Sequence, residues 1–276
     1  MLRPRVFFDT SFCIDLARGR IPTVQWAKSR KQLTKQFRYC ISPLTLYELL
    51  VGFGRSKDQF FEQNKEAIRI LYGSSGNRTF LRLPGQFVME TVLGIAERKV
   101  GFETEDYDLW IKAVLRASDK QSLETGRIEV SPRKLRTFGL NLRLIENQVQ
   151  EGKDAHADEL EELRKGNLLV PSSAMWASGI MRRMQVQPTT ETCERLATVL
   201  DAAYRFDCAL WELALESKYD FAKHASDWID VQQLYYLCDG EMSMVTADNN
   251  YRARTANSNQ SARILLYSEL LRALGS

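Results

Sequence analysis

Two short apolar runs, one near each end of the chain, stop at a carboxylate. Val6, Phe7 and Phe8 lead to Asp9, and Met244, Val245, Thr246 and Ala247 lead to Asp248. A short apolar run bounded by polar residues reads as a buried strand. The first strand is set at 5–8, followed by a helix over 11–18 with Thr10 as its N-cap. Gly19 and Pro22 separate that helix from a second at 23–37. A short strand is expected at 39–42. Ser42-Pro43 then opens a helix, with serine as N-cap and proline in the first turn, running to about Phe53 where Gly52 and Gly54 weaken it.

Helical spacing dominates the middle of the chain, over 57–72, 85–99, 105–118, 132–151, 154–165 and 172–184. The 73–77 segment is a loop by composition, and the acid-rich 151–162 segment is a solvated helix or linker. Leu196, Val199, Leu200, Ala203, Phe206, Leu210 and Leu213 keep one helical stripe, so a single helix is predicted over 190–217. A helix over 227–238 stops at Asp239-Gly240 and hands over to the last strand. No internal repeat or low-complexity tract stands out.

Polar positions carry the candidate chemistry. In Leu44–Phe53 apolar side chains cover most of the helix circumference, and Thr45, Glu48 and Gly52 leave a narrow polar stripe. A glutamate on so apolar a helix is costly unless it is paired or lines a cleft. Asp230 shares a helix face with Leu234 and Leu237 and asks for a partner in the same way. Asp227, one turn earlier, reads first as a helix cap. Asp248, followed by Asn249-Asn250, has a plain reading as a turn residue. In open α/β sheets the ligand crevice lies at the carboxyl ends of strands, which is where Asp9 and Asp248 fall.

Composition narrows the field. The chain has 276 residues, 44% hydrophobic and 26% charged, ordinary values for a globular protein large enough for one or two domains. Five cysteines, at 13, 40, 193, 208 and 238, show no metal-ligand spacing, and only His156 and His224 are available beside them. That set argues against a disulfide framework or structural zinc and fits a reducing, cytoplasmic setting. The start is not a signal peptide, and the longest weakly charged stretch, 168–181, contains Pro171 and is too short to span a bilayer. The net charge of +3 names no partner, but 16–47 holds no acid and carries Lys28, Arg30, Lys31, Lys35 and Arg38. That block either solvates a helix or holds a phosphate backbone at the rim of an acidic cleft.

The ensemble resembles the PIN-domain nucleases. That family opens with a strand ending in aspartate followed by a small hydroxyl or amide residue, here Asp9-Thr10-Ser11. A glutamate follows inside a helix, here Glu48 in Thr45-Leu46-Tyr47-Glu48-Leu49. A helical aspartate and a strand ending Thr-x-Asp close it, here Asp230 and Thr246-Ala247-Asp248. The resemblance implies an α/β fold, a parallel sheet flanked by helices, built discontinuously from 1–55 and 190–276. Residues 56–189 would form a large, mostly helical insertion, since toxin-type members are about half this length. It also implies that Asp9, Glu48, Asp230 and Asp248 gather around Mg²⁺ or Mn²⁺, with Thr10, Thr246 and Asp227 orienting carboxylates or water. The implied activity is phosphodiester hydrolysis of RNA. Implied partners are an antitoxin or another protein, or a second copy of the chain. The charge argument supports a cation independently: at an effective dielectric of about 20, two carboxylates about 4 Å apart repel by roughly 4 kcal/mol.

Overall fold

Val6, Phe7 and Phe8 are fully buried because β1 (Arg5–Phe8) is the central strand of a five-stranded sheet. The computed structural model describes residues 3–55, 61–73, 79–95, 104–119, 132–216, 219–221, 223–224 and 226–274. From β1 the chain passes through α1 (Thr10–Ala17) and α2 (Thr23–Gln36) into β2 (Arg38–Ile41). It continues through α3 (Pro43–Arg55) and α4 (Phe61–Gly73) into β3 (Thr79–Phe80). A helical stretch follows: α5 (Pro84–Val88), α6 (Thr104–Arg116), α7 (Pro132–Arg164), α8 (Ser173–Arg183), α9 (Thr190–Val199), α10 (Asp201–Leu215) and α11 (Asp227–Leu234). The chain then re-enters the sheet as β4 (Met242–Thr246), crosses α12 (Asn249–Arg254) to β5 (Ile264–Leu266), and ends in α13 (Tyr267–Ala273).

The sheet order is β3-β2-β1-β4-β5, with every pairing parallel. Phe8 lies opposite Val245, and the Asp9 amide continues the ladder to the Val245 carbonyl at 2.9 Å. The two terminal segments therefore form one sheet, as expected. Side chains leave the strands on alternate faces, and both faces are covered. Val6, Phe8, Tyr39, Ile41 and Val245 enter one core, and Phe7, Cys40, Met244 and Ile264 the other. That double burial explains why the strands read as unbroken apolar runs. Winding reverses between β1 and β4, so the ligand position common to open α/β sheets falls at their carboxyl ends. Among the described residues, no helix is long and apolar enough to cross a membrane.

Several expected boundaries move, each for a physical reason. The helix predicted over 190–217 breaks at Leu200 (φ −112°, ψ 19°). Gln260 fills the break: its Oε1 accepts from the Ala202 amide at 2.6 Å and its amide nitrogen donates to the Val199 carbonyl. The 85–99 helix ends early, through the π-turn Met89–Leu93, at Gly94, whose φ of 67° suits a residue without a Cβ. The 132–151 and 154–165 helices are one, α7. The helix after β1 starts at Thr10, because Asp9 is its cap. β3 comes from inside the expected 56–189 insertion, so the sheet extends past residue 55. The loop at 74–77 and the outer ends of the 57–72 and 85–99 helices lie outside the described residues.

α7 meets α11 at Gly152. A Cβ added there would fall 2.1 Å from the Trp228 indole. Alanine normally favours a helix over glycine by up to about 1 kcal/mol. Here the overlap forces a bulky ring to move, so Gly152→Ala should destabilise the protein by about 1–3 kcal/mol. A chemical-denaturation midpoint equal to or above that of the parent protein would contradict this packing.

Candidate active site

Asp9 follows β1 directly and is 3% exposed. Its carboxylate is held on every side. Oδ1 accepts the Thr10 amide at 2.6 Å, and Oδ2 accepts the Ser11 hydroxyl, the Ser11 amide at 3.3 Å and the Thr246 hydroxyl at 2.8 Å. Burial raises the Asp9 pKa above the usual range, and those hydrogen bonds pull it back. Thr246 is on β4, opposite Asp9, so the parallel pairing itself delivers the hydroxyl. Thr246 Oγ1 also accepts the Asp248 amide at 3.0 Å.

Glu48 reaches the same place from α3. Ser42 caps this helix as expected, its hydroxyl accepting the Leu44 and Thr45 amides at 3.2 and 3.4 Å. Thr45 donates to the Phe8 carbonyl at 2.9 Å and to the Gln233 side chain at 3.2 Å, which ties α3 to the end of β1. Glu48 Oε2 then accepts from the Thr10 hydroxyl at 2.6 Å and from Gln233 Nε2 at 3.2 Å. The residue touches solvent, but protein packs around its carboxyl. Burial pushes its pKa up to about 8, the Asp9 charge adds to the rise, and Thr10 and Lys153 of α7 oppose it.

Asp230 comes from α11. Its Oδ1 accepts from the buried Tyr251 hydroxyl at 3.0 Å. Burial holds its pKa well above the usual range, and the charges of Glu48, Asp9 and Asp227 raise it further. Asp9, Glu48 and Asp230 therefore share one electrostatic neighbourhood at the carboxyl end of β1. Proton affinity rises across the three because carboxylates crowd one another away from water.

Asp227 and Asp248 both make local hydrogen bonds. Asp227 is not a cap: it is buried in an ion pair with Arg254 at 3.0 Å and accepts from the Tyr219 hydroxyl at 3.0 Å. Asp248 lies two residues past Thr246, its amide on the hydroxyl that also bonds Asp9. Its carboxylate caps α12, accepting the Asn250 amide at 2.7 Å, which is the turn role its Asn-rich neighbourhood suggested. Among the described residues, no three His, Cys, Asp or Glu side chains stand close enough to hold an ion directly.

The basic block is only partly near the site. Trp26, Ser29 and Leu33 turn inward, and Lys28, Arg30, Lys31 and Lys35 are exposed. Trp26 lies 5.6 Å from the Phe8 ring, close to Asp9. A helix joining two parallel strands must return the chain from the carboxyl end to the amino end of the sheet. Lys35, nine residues on, is therefore about 13 Å further away. Arg38 pairs in register with Arg5, at the amino end of the sheet. Arg3 donates to the Thr34 carbonyl at 2.6 Å, so Lys35 and Arg38 both lie toward the amino end of the sheet and not at the carboxyl end of β1. The supporting residues that pattern alone did not single out are Ser11, Thr45, Gln233, Tyr251 and Lys153. Ser11 stood inside the Asp-Thr-Ser run and Thr45 on the polar stripe with Glu48, and the other three carry no local signal. The chain matches no family model, no curated protein and no solved structure.

Proposed function

We propose that this protein is a metal-dependent nuclease of PIN-like type that hydrolyses RNA. The observation that carries the reading is the meeting of Asp9, Glu48 and Asp230 at the carboxyl end of β1, where the sheet reverses its winding. Such a cluster needs protons or a cation. Its donors are all oxygen, which favours Mg²⁺ or Mn²⁺ over zinc. Asp9, Glu48 and Asp230 would hold the ion, in part through bridging waters, since magnesium keeps several of its own. When bound, such an ion supplies an activated water and charge stabilisation for the leaving oxygen. The chain's own contribution is orientation. Ser11 and Thr246 fix the Asp9 carboxylate, Thr10 and Gln233 fix Glu48, and Tyr251 fixes Asp230. Asp248 shapes the rim through its cap on α12.

RNA as substrate rests on the resemblance of Asp9-Thr10-Ser11, Glu48, Asp230 and Thr246-Ala247-Asp248 to the PIN pattern. The setting would be a toxin restrained by an antitoxin, or a processing or defence nuclease working with a protein partner. One observation favours a different reading, a non-catalytic RNA- or protein-binding scaffold: among the described residues no three His, Cys, Asp or Glu side chains stand close enough to hold an ion directly. Incubation of the purified protein with labelled RNA decides between them. Cleavage products should appear with Mn²⁺ or Mg²⁺ and vanish with EDTA. RNA binding without cleavage in any divalent ion would leave the scaffold.

A further inference from the structure

The outer face of α2 carries a row of lysines. At about 100° per residue, Val24, Lys28, Lys31 and Lys35 fall within an arc of about 60°, opposite the inward-facing Trp26, Ser29 and Leu33. All four are exposed. Lys28 and Lys31 stand three residues apart, and Lys31 and Lys35 four, spacings at which like charges repel and weaken a helix. α2 itself holds no acid. The helices that pack on its inner face, α1 and α13, hold one acid each, and both acids are engaged. Asp15 accepts from Arg20 at 2.7 Å, and Glu269 accepts from Arg252 at 2.8 Å. Among the described residues, Lys28, Lys31 and Lys35 pair with no carboxylate. Other lysines behave differently: Lys65, Lys112, Lys165 and Lys223 each pair with an acid three or four residues away.

A stripe of cations that weakens its own helix fits a partner that brings the negative charge. Lys28 and Lys35 are about 10 Å apart along the helix axis. A stacked nucleic-acid strand rises about 3.4 Å per phosphate, so the stripe spans about three phosphates. It offers no ring for a base, because the one aromatic side chain of α2, Trp26, packs inward on Phe8 and Phe12 at 5.6 and 5.5 Å. Contact is therefore made to the backbone, which carries no sequence information. An anionic membrane fits less well, since helices that lie on a bilayer also insert a broad apolar face, and on this stripe the only apolar side chain is Val24. A protein partner fits less well too, since lysine is depleted at protein interfaces and aromatic residues are enriched.

We propose that the Lys28, Lys31 and Lys35 face of α2 docks the sugar-phosphate backbone of an RNA strand, whatever its sequence. The track heads toward the amino end of the sheet, away from Asp9, Glu48 and Asp230. It holds a length of strand outside the acid cluster. The choice of RNA as the polyanion rests on the proposed function, and the docking itself needs no cleavage.

The test uses the full chain carrying Asp9→Asn, so that RNA survives. A labelled mixed-sequence oligoribonucleotide is titrated at several KCl concentrations and binding is followed by fluorescence anisotropy. Adding Lys28→Gln, Lys31→Gln and Lys35→Gln together should weaken binding at least about tenfold at low salt. The same change should flatten the slope of log K against log salt by about 2, since each neutralised phosphate of a single strand contributes about 0.7. A control removes the same charge elsewhere, through Arg164→Gln, Lys165→Gln and Lys223→Gln, and should keep the slope. All six side chains are exposed, so neither variant should unfold. The proposal is overturned if the parent binds no RNA, if the α2 variant keeps the slope, or if the control loses as much as the α2 variant. Tighter binding to polyglutamate or to phosphatidylserine vesicles than to RNA would also overturn it, in favour of an acidic protein or a membrane. Mn²⁺-dependent cleavage by the chain with Asp9 intact reports on the acid cluster separately, so loss of the docking face and loss of the nuclease reading are told apart.

Discussion

Asp9→Asn should reduce metal-dependent RNA cleavage by at least about 100-fold, since even indirect partners of a bound metal are worth 10–100-fold. The same substitution should leave the fold intact. Asparagine caps a helix about as well as aspartate. Its carbonyl oxygen can keep one of the backbone N–H bonds that Asp9 makes to Thr10 and Ser11. The Ser11 and Thr246 hydroxyls can rotate to accept from the new NH₂ group, since a hydroxyl both donates and accepts. One backbone amide loses its partner, and the repulsion that Asp9 exerts on Glu48 and Asp230 disappears. These effects oppose one another. A net change within about 1 kcal/mol moves the melting temperature by only about 2–4 °C in a protein of this size class. Cleavage rates and thermal melts on the same preparation check both halves. Undiminished cleavage would remove Asp9, and with it the cluster, from the mechanism.

What could be read from the sequence was what is local. An apolar run that stops at an acid specifies a buried strand and its exit, so Asp9 and Asp248 were both placed at the carboxyl end of one sheet. Ser42-Pro43 set the start of α3, and that start fixed which side of the helix Glu48 occupies. The failures come from distant partners. The break at Leu200 is stabilised by Gln260, and nothing near Leu200 announces it. Asp227 looked like a cap because its partners, Tyr219 and Arg254, lie across turns and helices. The two- and three-residue strands β3 and β5 are too short to carry a periodic pattern. Lys35 and Arg38 were assigned to the cleft by composition alone. The crossover geometry that carries them to the amino end of the sheet is a property of parallel strands, and no residue in α2 encodes it.

Stability without added metal should fall as pH rises from about 5.5 to about 8, and Glu48 should account for a measurable part of the slope. The sign follows from proton binding. The Glu48 pKa is raised from 4.5 to about 8, by burial first and then by Asp9. Below 4.5 the group is protonated in both states. Between 4.5 and 8 the unfolded chain has lost a proton that the folded chain keeps, so raising pH favours unfolding. Above 8 both states are ionised and the loss is complete. Asp230 and Asp207 act in the same direction, and His156, lowered to about 4, acts oppositely on the acid side. The difference between the parent protein and Glu48→Gln isolates the group, and the variant should show a shallower decline in melting temperature. Mn²⁺ should reverse part of that decline. A cation binds the ionised cluster of the folded state and stabilises it by mass action, so the Mn²⁺-induced rise in melting temperature should be larger at about pH 8 than at about pH 5.5. It should also shrink in Glu48→Gln. Parallel slopes in the two proteins, with an Mn²⁺ effect that ignores pH, would mean that Glu48 keeps its charge by some other means and that the three acids do not act as one site.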